Sequence, residues 1–223
     1  VIELPTIRIE EPNNRMAFGE LVQDCHTYDW IIFTSPNGVE AFFKMFYKLY
    51  NDAREIGGAK IAAIGPGTAD KVREYHLTVD LMPEKDFVAE GLIKAFKGNF
   101  SVENSTILWV RADGAREVIA NELTGMGAIV DEAIAYRTVA EKEDNLGALA
   151  RLKEEGADMI TFTSSSTVEC FIELGVPLPE GIKIASIGPV TSATIKKHGL
   201  KVDVSAKEHT IPGLVAAIEK FYS

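Results

Sequence analysis

The sequence predicts an α/β protein made of two similar α/β domains with mostly parallel sheets, and two internal repeats are the reason. The pattern at residues 60–68, a short apolar strand followed by Gly-Pro and Thr, returns at residues 183–191. The pattern at residues 29–43, a strand that leads through hydroxyl residues into a helix, returns at residues 158–172. Because the period is much longer than that of a solenoid repeat, we interpret the chain as a duplicated domain.

The overall composition limits the classes of function. With 223 residues and 46% apolar content, the chain is long enough for two small domains that each have a core. We expect neither a signal peptide nor a membrane span, since no apolar run approaches the roughly 20 residues that a span needs. The isolated Cys25 and Cys170 favour a reduced, cytoplasmic protein. A net charge of −10 argues against a nucleic-acid partner.

Strands and helices alternate through the first half. Apolar runs predict buried parallel strands, and apolar residues spaced three or four apart predict amphipathic helices between them. Right-handed crossovers then place the strands in one mostly parallel sheet. The predicted strands cover residues 30–33, 61–64, 79–82, 106–110 and 128–130, and the predicted helices cover residues 15–24, 39–50, 68–75 and 87–96, with a further helix ending near residue 126.

The second half repeats this order with fewer strands. A helix is predicted at residues 146–154, and the predicted strands cover residues 159–163, 183–187 and 201–204, with residues 1–4 as a fourth. The second half is thus one strand short of the first. Because the chain starts at Val1 rather than Met, we expect a short N-terminal segment to be missing. The extended, partly polar segments 6–10 and 132–141 favour an antiparallel ribbon that joins the two domains.

Motifs of the common catalytic and metal sites are absent from the sequence. The four histidines share no metal-ligand spacing, so no metal site is predicted. No P-loop, no G-x-G-x-x-G and no G-x-S-x-G occurs, which removes the usual phosphate, dinucleotide and hydrolase signatures. His76 and His198 fall near matching helix ends, where C-terminal capping is the more common role.

Hydroxyl-rich residues follow the predicted strands at equivalent places in both halves. Each one alone is more often a helix N-cap than a ligand contact. The carboxyl ends of parallel strands, however, are where open α/β sheets bind ligands, and two such edges favour a ligand-binding cleft between the domains. The candidate substrate-binding residues are Thr34, Ser35, Asn37 and Thr68 in the first half and Ser164, Ser165, Ser166 and Thr191 in the second.

Two arginines and one tyrosine complete the candidate site. Arg111 and Arg116 follow the strand at residues 106–110 and would add positive charge to one rim of the cleft. Arg116 could equally belong to an exposed pair with a nearby Glu. Tyr136 lies on the predicted connector, where its phenol could reach the cleft, although a Tyr on a half-buried strand is ordinarily a packing residue.

A set of motifs in this order along nearly the whole chain resembles uroporphyrinogen-III synthases. The resemblance implies two α/β domains, one inserted into the other, with a two-stranded linker and an active site in the cleft between them. It assigns residues 12–134 to the inserted domain, residues 1–6 with 142–223 to the second domain, from which a first strand and helix are missing, and residues 7–11 with 135–141 to the linker. The motifs that carry it lie at residues 29–39, 63–69, 110–117, 135–139 and 187–193.

The implied reaction closes hydroxymethylbilane, a linear tetrapyrrole with eight carboxylates, to uroporphyrinogen III. Water is lost and ring D is inverted through a spiro intermediate, as in a lyase of heme and other tetrapyrrole biosynthesis that needs no metal or cofactor. By resemblance, Tyr136 matches the family tyrosine that helps the hydroxyl group leave, as a general acid or hydrogen-bond donor. The binding positions implied in the same way are Thr34, Ser35, Thr68, Ser164, Ser166 and Thr191.

The competing hypothesis is a non-catalytic two-domain protein that binds a small anion or a sugar phosphate. A phosphate site would need a dense nest of N–H groups with several glycines, whereas these turns contain Pro and hydroxyl residues. In either case, we expect a monomer with a small-molecule partner and no membrane or nucleic-acid partner.

Overall fold

The computed structural model describes residues 1–141, 147–179 and 181–223, and this part of the chain divides into two compact units. The central unit is Ile9–Thr138, and the terminal unit combines Val1–Arg8 with Val139–Ser223. Among the described helices, none is long and apolar enough to cross a membrane. The predicted domain boundary at residue 142 and the predicted helix start at residue 146 lie outside the described residues.

The central unit contains most of a five-stranded sheet in the order β1-β5-β4-β2-β3. The first two residues of β1 (7–8) and the last two residues of β5 (139–140) belong to the terminal unit. Strands β2, β3, β4 and β5 pair in parallel, as predicted. The strands are β1 (Ile7–Glu10), β2 (Trp30–Phe33), β3 (Lys60–Ala63), β4 (Thr106–Ala112) and β5 (Ile129–Ala140). The helices are α1 (Arg15–Gln23), α2 (Pro36–Leu49), α3 (Pro66–Glu74), α4 (Ala89–Asn99) and α5 (Val118–Gly125).

The terminal unit contains a three-stranded parallel sheet in the order β6-β7-β8. The predicted strand at residues 1–4 is wrong, because no ladder forms there in the described structure. This sheet therefore has three of the four predicted strands. Its strands are β6 (Met159–Phe162), β7 (Lys183–Ser186) and β8 (Val204–Ser205), and its helices are α6 (Ala148–Glu155), α7 (Ser165–Glu173), α8 (Pro189–Lys197) and α9 (Ile211–Tyr222).

The core explains why the strands of the central unit are so apolar. Every residue of β2 is buried, and its side chains alternate between two apolar layers. Ile31 and Phe33 pack in the layer formed with α1 and α2, whereas Trp30 and Ile32 pack in the layer formed with α4 and α5. A strand covered on both faces has no polar side, which is the pattern expected of a parallel sheet.

Turn chemistry sets the helix starts earlier than apolar periodicity predicts. Helices α2 and α3 begin at Pro36 and Pro66 rather than at residues 39 and 68. Proline suits the first helical position, because its fixed φ is helical and its missing N–H would have no partner there. Ser35 is therefore placed at the cap of α2, and Thr68 is placed in the first turn of α3.

The repeated Val-Asp after α3 and α8 forms the same backbone clamp in both units. The N–H of Ile61 donates to Oδ2 of Asp80 at 2.8 Å, and the N–H of Asp80 donates to the carbonyl of Ile61 at 2.8 Å. Asp203 and Ile184 make the same two bonds at 3.0 and 2.9 Å. The strand predicted at residues 79–82 is wrong, because only a single bridge between Leu81 and Ala62 forms there.

A further correction concerns β5. Residues 128–130 and 132–141 were predicted as two separate segments, but Ile129–Ala140 is one continuous strand. Its pairing with β4 slips by one residue between Arg111 and Ala112, so that Arg111 is opposite Ile134 and Ala112 is opposite Tyr136. A bulge of this kind re-aims the side chains that follow it. It sits directly before Tyr136, the predicted catalytic residue.

Candidate functional site

Tyr136 and Ser35 lie side by side: Ser35 follows the carboxyl end of β2, and Tyr136 lies within β5 opposite Ala112, the last residue of β4. The phenol oxygen of Tyr136 is 2.8 Å from Oγ of Ser35, and either hydroxyl can donate. Ser35 is the N-cap of α2, and its Oγ accepts the N–H of Gly38 at 3.0 Å. The contact between the two hydroxyls uses only one of their two protons. The second proton is therefore available to a ligand.

Thr34 is tied to the neighbouring strand. Its hydroxyl donates to the carbonyl of Val110 at 3.3 Å and accepts Nε1–H of Trp109 at 3.4 Å. These bonds join the ends of β2 and β4. Thr34 thus positions the strand that leads into Ser35. Asn37, in the first turn of α2, is exposed.

The two Gly-Pro turns leave helix N–H groups without a side-chain cap. Gly65 is the N-cap of α3 and Gly188 is the N-cap of α8, and neither helix start receives a side-chain hydrogen bond. Thr68 and Thr191 occupy the first turns of these helices and are each 4% exposed. Uncapped N–H groups at the positive end of a helix dipole are suited to bind an anion.

The serine-rich end in the terminal unit is capped from within. Oγ of Ser164 accepts the N–H of Thr167 at 3.2 Å and lies 3.0 Å from Oγ of Ser166. In turn, Oγ1 of Thr167 accepts the backbone N–H of Ser164 at 3.3 Å, which completes a capping box. Ser165 is half-buried and Ser166 is exposed. Ser164 is therefore equivalent to Ser35 in both repeat position and cap.

The two candidate arginines have different surroundings. Arg111 is 7% exposed, and its guanidinium donates to Glu132, to the carbonyl of Ala115 and to the carbonyl of Ala112. It also lies over the Trp109 ring, 4.7 Å from its centroid. Arg111 is therefore placed among protein partners at the bulge rather than as a free cation.

Arg116 is exposed and pairs with a carboxylate of α4. Its Nη1 donates to Glu90 Oε1 at 2.8 Å, which is the exposed pair that the sequence allowed as one interpretation. This bond lowers the pKa of Glu90 below its ordinary value. Both side chains are largely exposed, so the pair can open at little cost.

Sequence reasoning missed Phe87 and His209, whose side chains cover the two Gly-Pro turns. A Cβ added to Gly65 would lie 3.0 Å from Phe87, and one added to Gly188 would lie 3.0 Å from the ring of His209. Glycine is needed in both turns because an aromatic side chain covers each of them closely. The signal was present in the repeat, since Lys-Asp-Phe at 85–87 matches Lys-Glu-His at 207–209.

No group of three or more His, Cys, Asp or Glu side chains in the described ranges is placed to hold a metal ion. The groups observed at the strand ends are hydroxyl groups, backbone N–H groups and local cations. Such groups donate hydrogen bonds to oxygen atoms of a ligand and can deliver a proton to a leaving hydroxyl.

Comparisons with known proteins agree with one another. The family model described as uroporphyrinogen-III synthase HemD matches residues 1–216. A uroporphyrinogen-III synthase of Synechococcus elongatus is 34% identical, over 99% of this chain and 86% of that protein. A putative uroporphyrinogen-III synthase of Methanothermobacter thermautotrophicus is 30% identical, over 96% of this chain and 86% of that protein.

Solved structures with the same fold carry the same description. The uroporphyrinogen-III synthetase of Helicobacter pylori superposes with a TM-score of 0.70 at 18% identity, covering 97% of this chain and 91% of that one. A uroporphyrinogen III synthase of Thermus thermophilus gives a TM-score of 0.63 at 16% identity, over 97% and 86% of the two chains. At these identities the likeness establishes the mixed α/β fold.

Proposed function

The chain belongs to the uroporphyrinogen-III synthase family, and we propose that the Ser35–Tyr136 hydroxyl pair carries the proton transfer of its reaction. The enzyme is a lyase that cyclises hydroxymethylbilane to uroporphyrinogen III. The observation that supports this role is the 2.8 Å contact between the two hydroxyls at the end of β2.

The first step of the reaction breaks the bond between the ring A hydroxymethyl carbon and its oxygen. Electrons from the ring A nitrogen replace that bond and form a protonated azafulvene, and the oxygen takes up a proton and leaves as water. The Ser35–Tyr136 pair has one hydroxyl proton that is not used within the pair. In our proposal this proton is donated to the leaving oxygen, and the cap on Gly38 N–H holds Ser35 in place.

The later steps form carbon–carbon bonds and need geometry rather than strong acids or bases. The substituted carbon of ring D attacks the azafulvene, the resulting spiro intermediate fragments, and ring D recloses in inverted orientation with loss of a proton. We propose that the protein favours this course by holding the bilane bent, so that proximity brings the substituted carbon of ring D to the azafulvene. Loss of one polar contact then slows the reaction only modestly.

The carboxylates of the substrate need local donors, because a net charge of −10 gives no general attraction. The uncapped starts of α3 and α8, with Thr68 and Thr191 in their first turns, are the donors that we propose. Contacts from the remaining predicted residues are part of the same proposal. They are Thr34, Asn37, Arg111, Arg116, Ser164, Ser165 and Ser166.

The proposed domain organisation follows the family. Residues 12–134 form the inserted domain, residues 1–6 with 142–223 form the second domain, and residues 7–11 with 135–141 form an antiparallel linker beside an active-site cleft. The division of the chain after Arg8 and after Thr138 supports these boundaries to within a few residues. We further propose a cytoplasmic monomer without a nucleic-acid partner, in line with the acidic net charge.

The ratio of product isomers tests the function directly. Hydroxymethylbilane closes spontaneously to the type I isomer, so enzymatic ring inversion is read as type III product after oxidation and chromatography. We expect the purified protein to give mainly type III. Product that stays type I at every protein concentration would contradict the function and would favour the alternative of a non-catalytic anion-binding protein.

A further inference from the structure

We propose that a groove along α2 of the central unit binds carboxylate side chains of the substrate through Lys44 and Lys48. The inference rests on the proposed function and adds a binding site to it. The groove has a volume of about 370 Å³ and lies between β1, α1, α2 and β5. Tyr136 and Asn37 line it together with the two lysines.

The spacing of the lysines places them on the groove side of one helix. Asn37, Lys44 and Lys48 all line the groove, at the spacing of about two turns and then one turn that keeps residues on one helix face. The helix axis between Asn37 and Lys48 measures about 16 Å, at 1.5 Å per residue. A tetrapyrrole ring held at Tyr136 can therefore direct its acetate and propionate arms along this face.

The positive charges of Lys44 and Lys48 are not neutralised by a neighbouring carboxylate of the described residues. Lys44 and Lys48 are exposed, and within the described part of the chain neither has a carboxylate within 4.0 Å. Carboxylates also line the groove, but each of them lies beside another cation. These pairs are Glu10 with Arg137, Glu11 with Arg15 and Glu40 with Lys71.

The chemistry of the ligand follows from this charge distribution. Two ammonium groups that have no carboxylate partner among the described residues, in a chain of net charge −10, create a local positive region in an otherwise repulsive surface. Lysine is a mobile point charge on a long stem, so it can follow carboxylates that change position as the bilane bends and recloses. A rigid bidentate site would not suit a substrate that rearranges.

The test compares two double variants with the same change of charge. Lys44→Gln/Lys48→Gln removes the two groove cations, and Lys94→Gln/Lys220→Gln removes two exposed lysines on α4 and α9. We expect the groove variant to raise KM for hydroxymethylbilane about 5- to 30-fold, with a smaller effect on kcat, because exposed charge-assisted bonds are lost. The control variant should keep the KM of the unmodified protein.

Further measurements separate this proposal from the function itself. Lys44→Arg/Lys48→Arg should keep KM within about twofold, since both charges remain. Added salt should raise KM of the unmodified protein more steeply than KM of the groove variant. A groove variant with the KM of the control and with type III product would overturn the groove proposal alone. Failure of the proposed function would appear instead as type I product from the unmodified protein.

Discussion

The hydroxyls of Tyr136 and Ser35 are 2.8 Å apart, although 101 positions separate the two residues in the chain. Three features bring them together. The parallel order β5-β4-β2 places Tyr136 of β5 level with the carboxyl ends of β4 and β2, the bulge at Arg111 and Ala112 re-aims β5, and the α2 cap fixes Ser35. The contact between the two hydroxyls therefore depends on the tertiary structure of the central unit.

Tyr136→Phe should reduce kcat about tenfold, because a neutral hydrogen bond in the transition state contributes roughly 1.4 kcal/mol. The measurement is the initial rate of type III product from hydroxymethylbilane. The matched control is Tyr28→Phe, which removes a phenol that donates to Asp131 at 2.7 Å in the same unit. Unchanged rate and isomer ratio in Tyr136→Phe would remove the phenol from the mechanism.

Arg111→Gln should destabilise the protein by about 2 kcal/mol, because the carbonyl groups of Ala112 and Ala115 and the Glu132 carboxylate lose a buried donor. It should also lower kcat, since the bulge that orients Tyr136 loses its support. Denaturant unfolding and the assay for type III product measure the two effects. Arg111→Lys should restore only part of either, because an ammonium cannot supply the planar fork. The control for stability is Arg116→Gln, for which little change is expected.

Asp203→Asn should make the free energy of unfolding less dependent on pH in the acidic range. The hydrogen bond from Lys201, and then the N–H of Ile184, hold the pKa of Asp203 below its ordinary value. Its charged form therefore stabilises the folded state above pH of about 4, and this contribution is lost as the pH falls through the lowered pKa.

Unfolding free energies measured between pH 7 and pH 2 check this expectation. The unmodified protein should lose stability more steeply towards low pH than Asp203→Asn does. Lys201→Gln, which removes the larger cause of the shift, should give an intermediate slope. Parallel curves for all three proteins would show that Asp203 does not contribute to acid sensitivity.

The two cysteines should react at very different rates in the native protein. Burial raises the pKa of Cys25 to about 11, and its side chain is fully buried. Burial also raises the pKa of Cys170, but this residue is partly exposed. At pH 8 a disulfide reagent should therefore label Cys170 first and Cys25 only after unfolding. Cys170→Ala should abolish the fast phase, and fast labelling that persists in this variant would contradict the assignment.

Local patterns were sufficient to predict much of this protein from its sequence. The duplicated α/β units, the parallel strands and the hydroxyl residues at their ends follow from apolar periodicity and from Gly-Pro turn chemistry, which act over a few residues. The ordered motifs also identified the family. Periodicity predicted too much at residues 1–4 and 79–82, because an apolar run becomes a strand only when a neighbouring strand pairs with it.

Relationships between distant residues were decided by the tertiary structure. Folding places Glu132 and two carbonyl groups around Arg111 and buries it, which the sequence did not indicate. Lys44 and Lys48 read as ordinary surface lysines until α1, α2, β1 and β5 form a groove beside Tyr136. Sequence periodicity reports which side of an element is apolar, whereas the partner of a polar group depends on which elements meet in space.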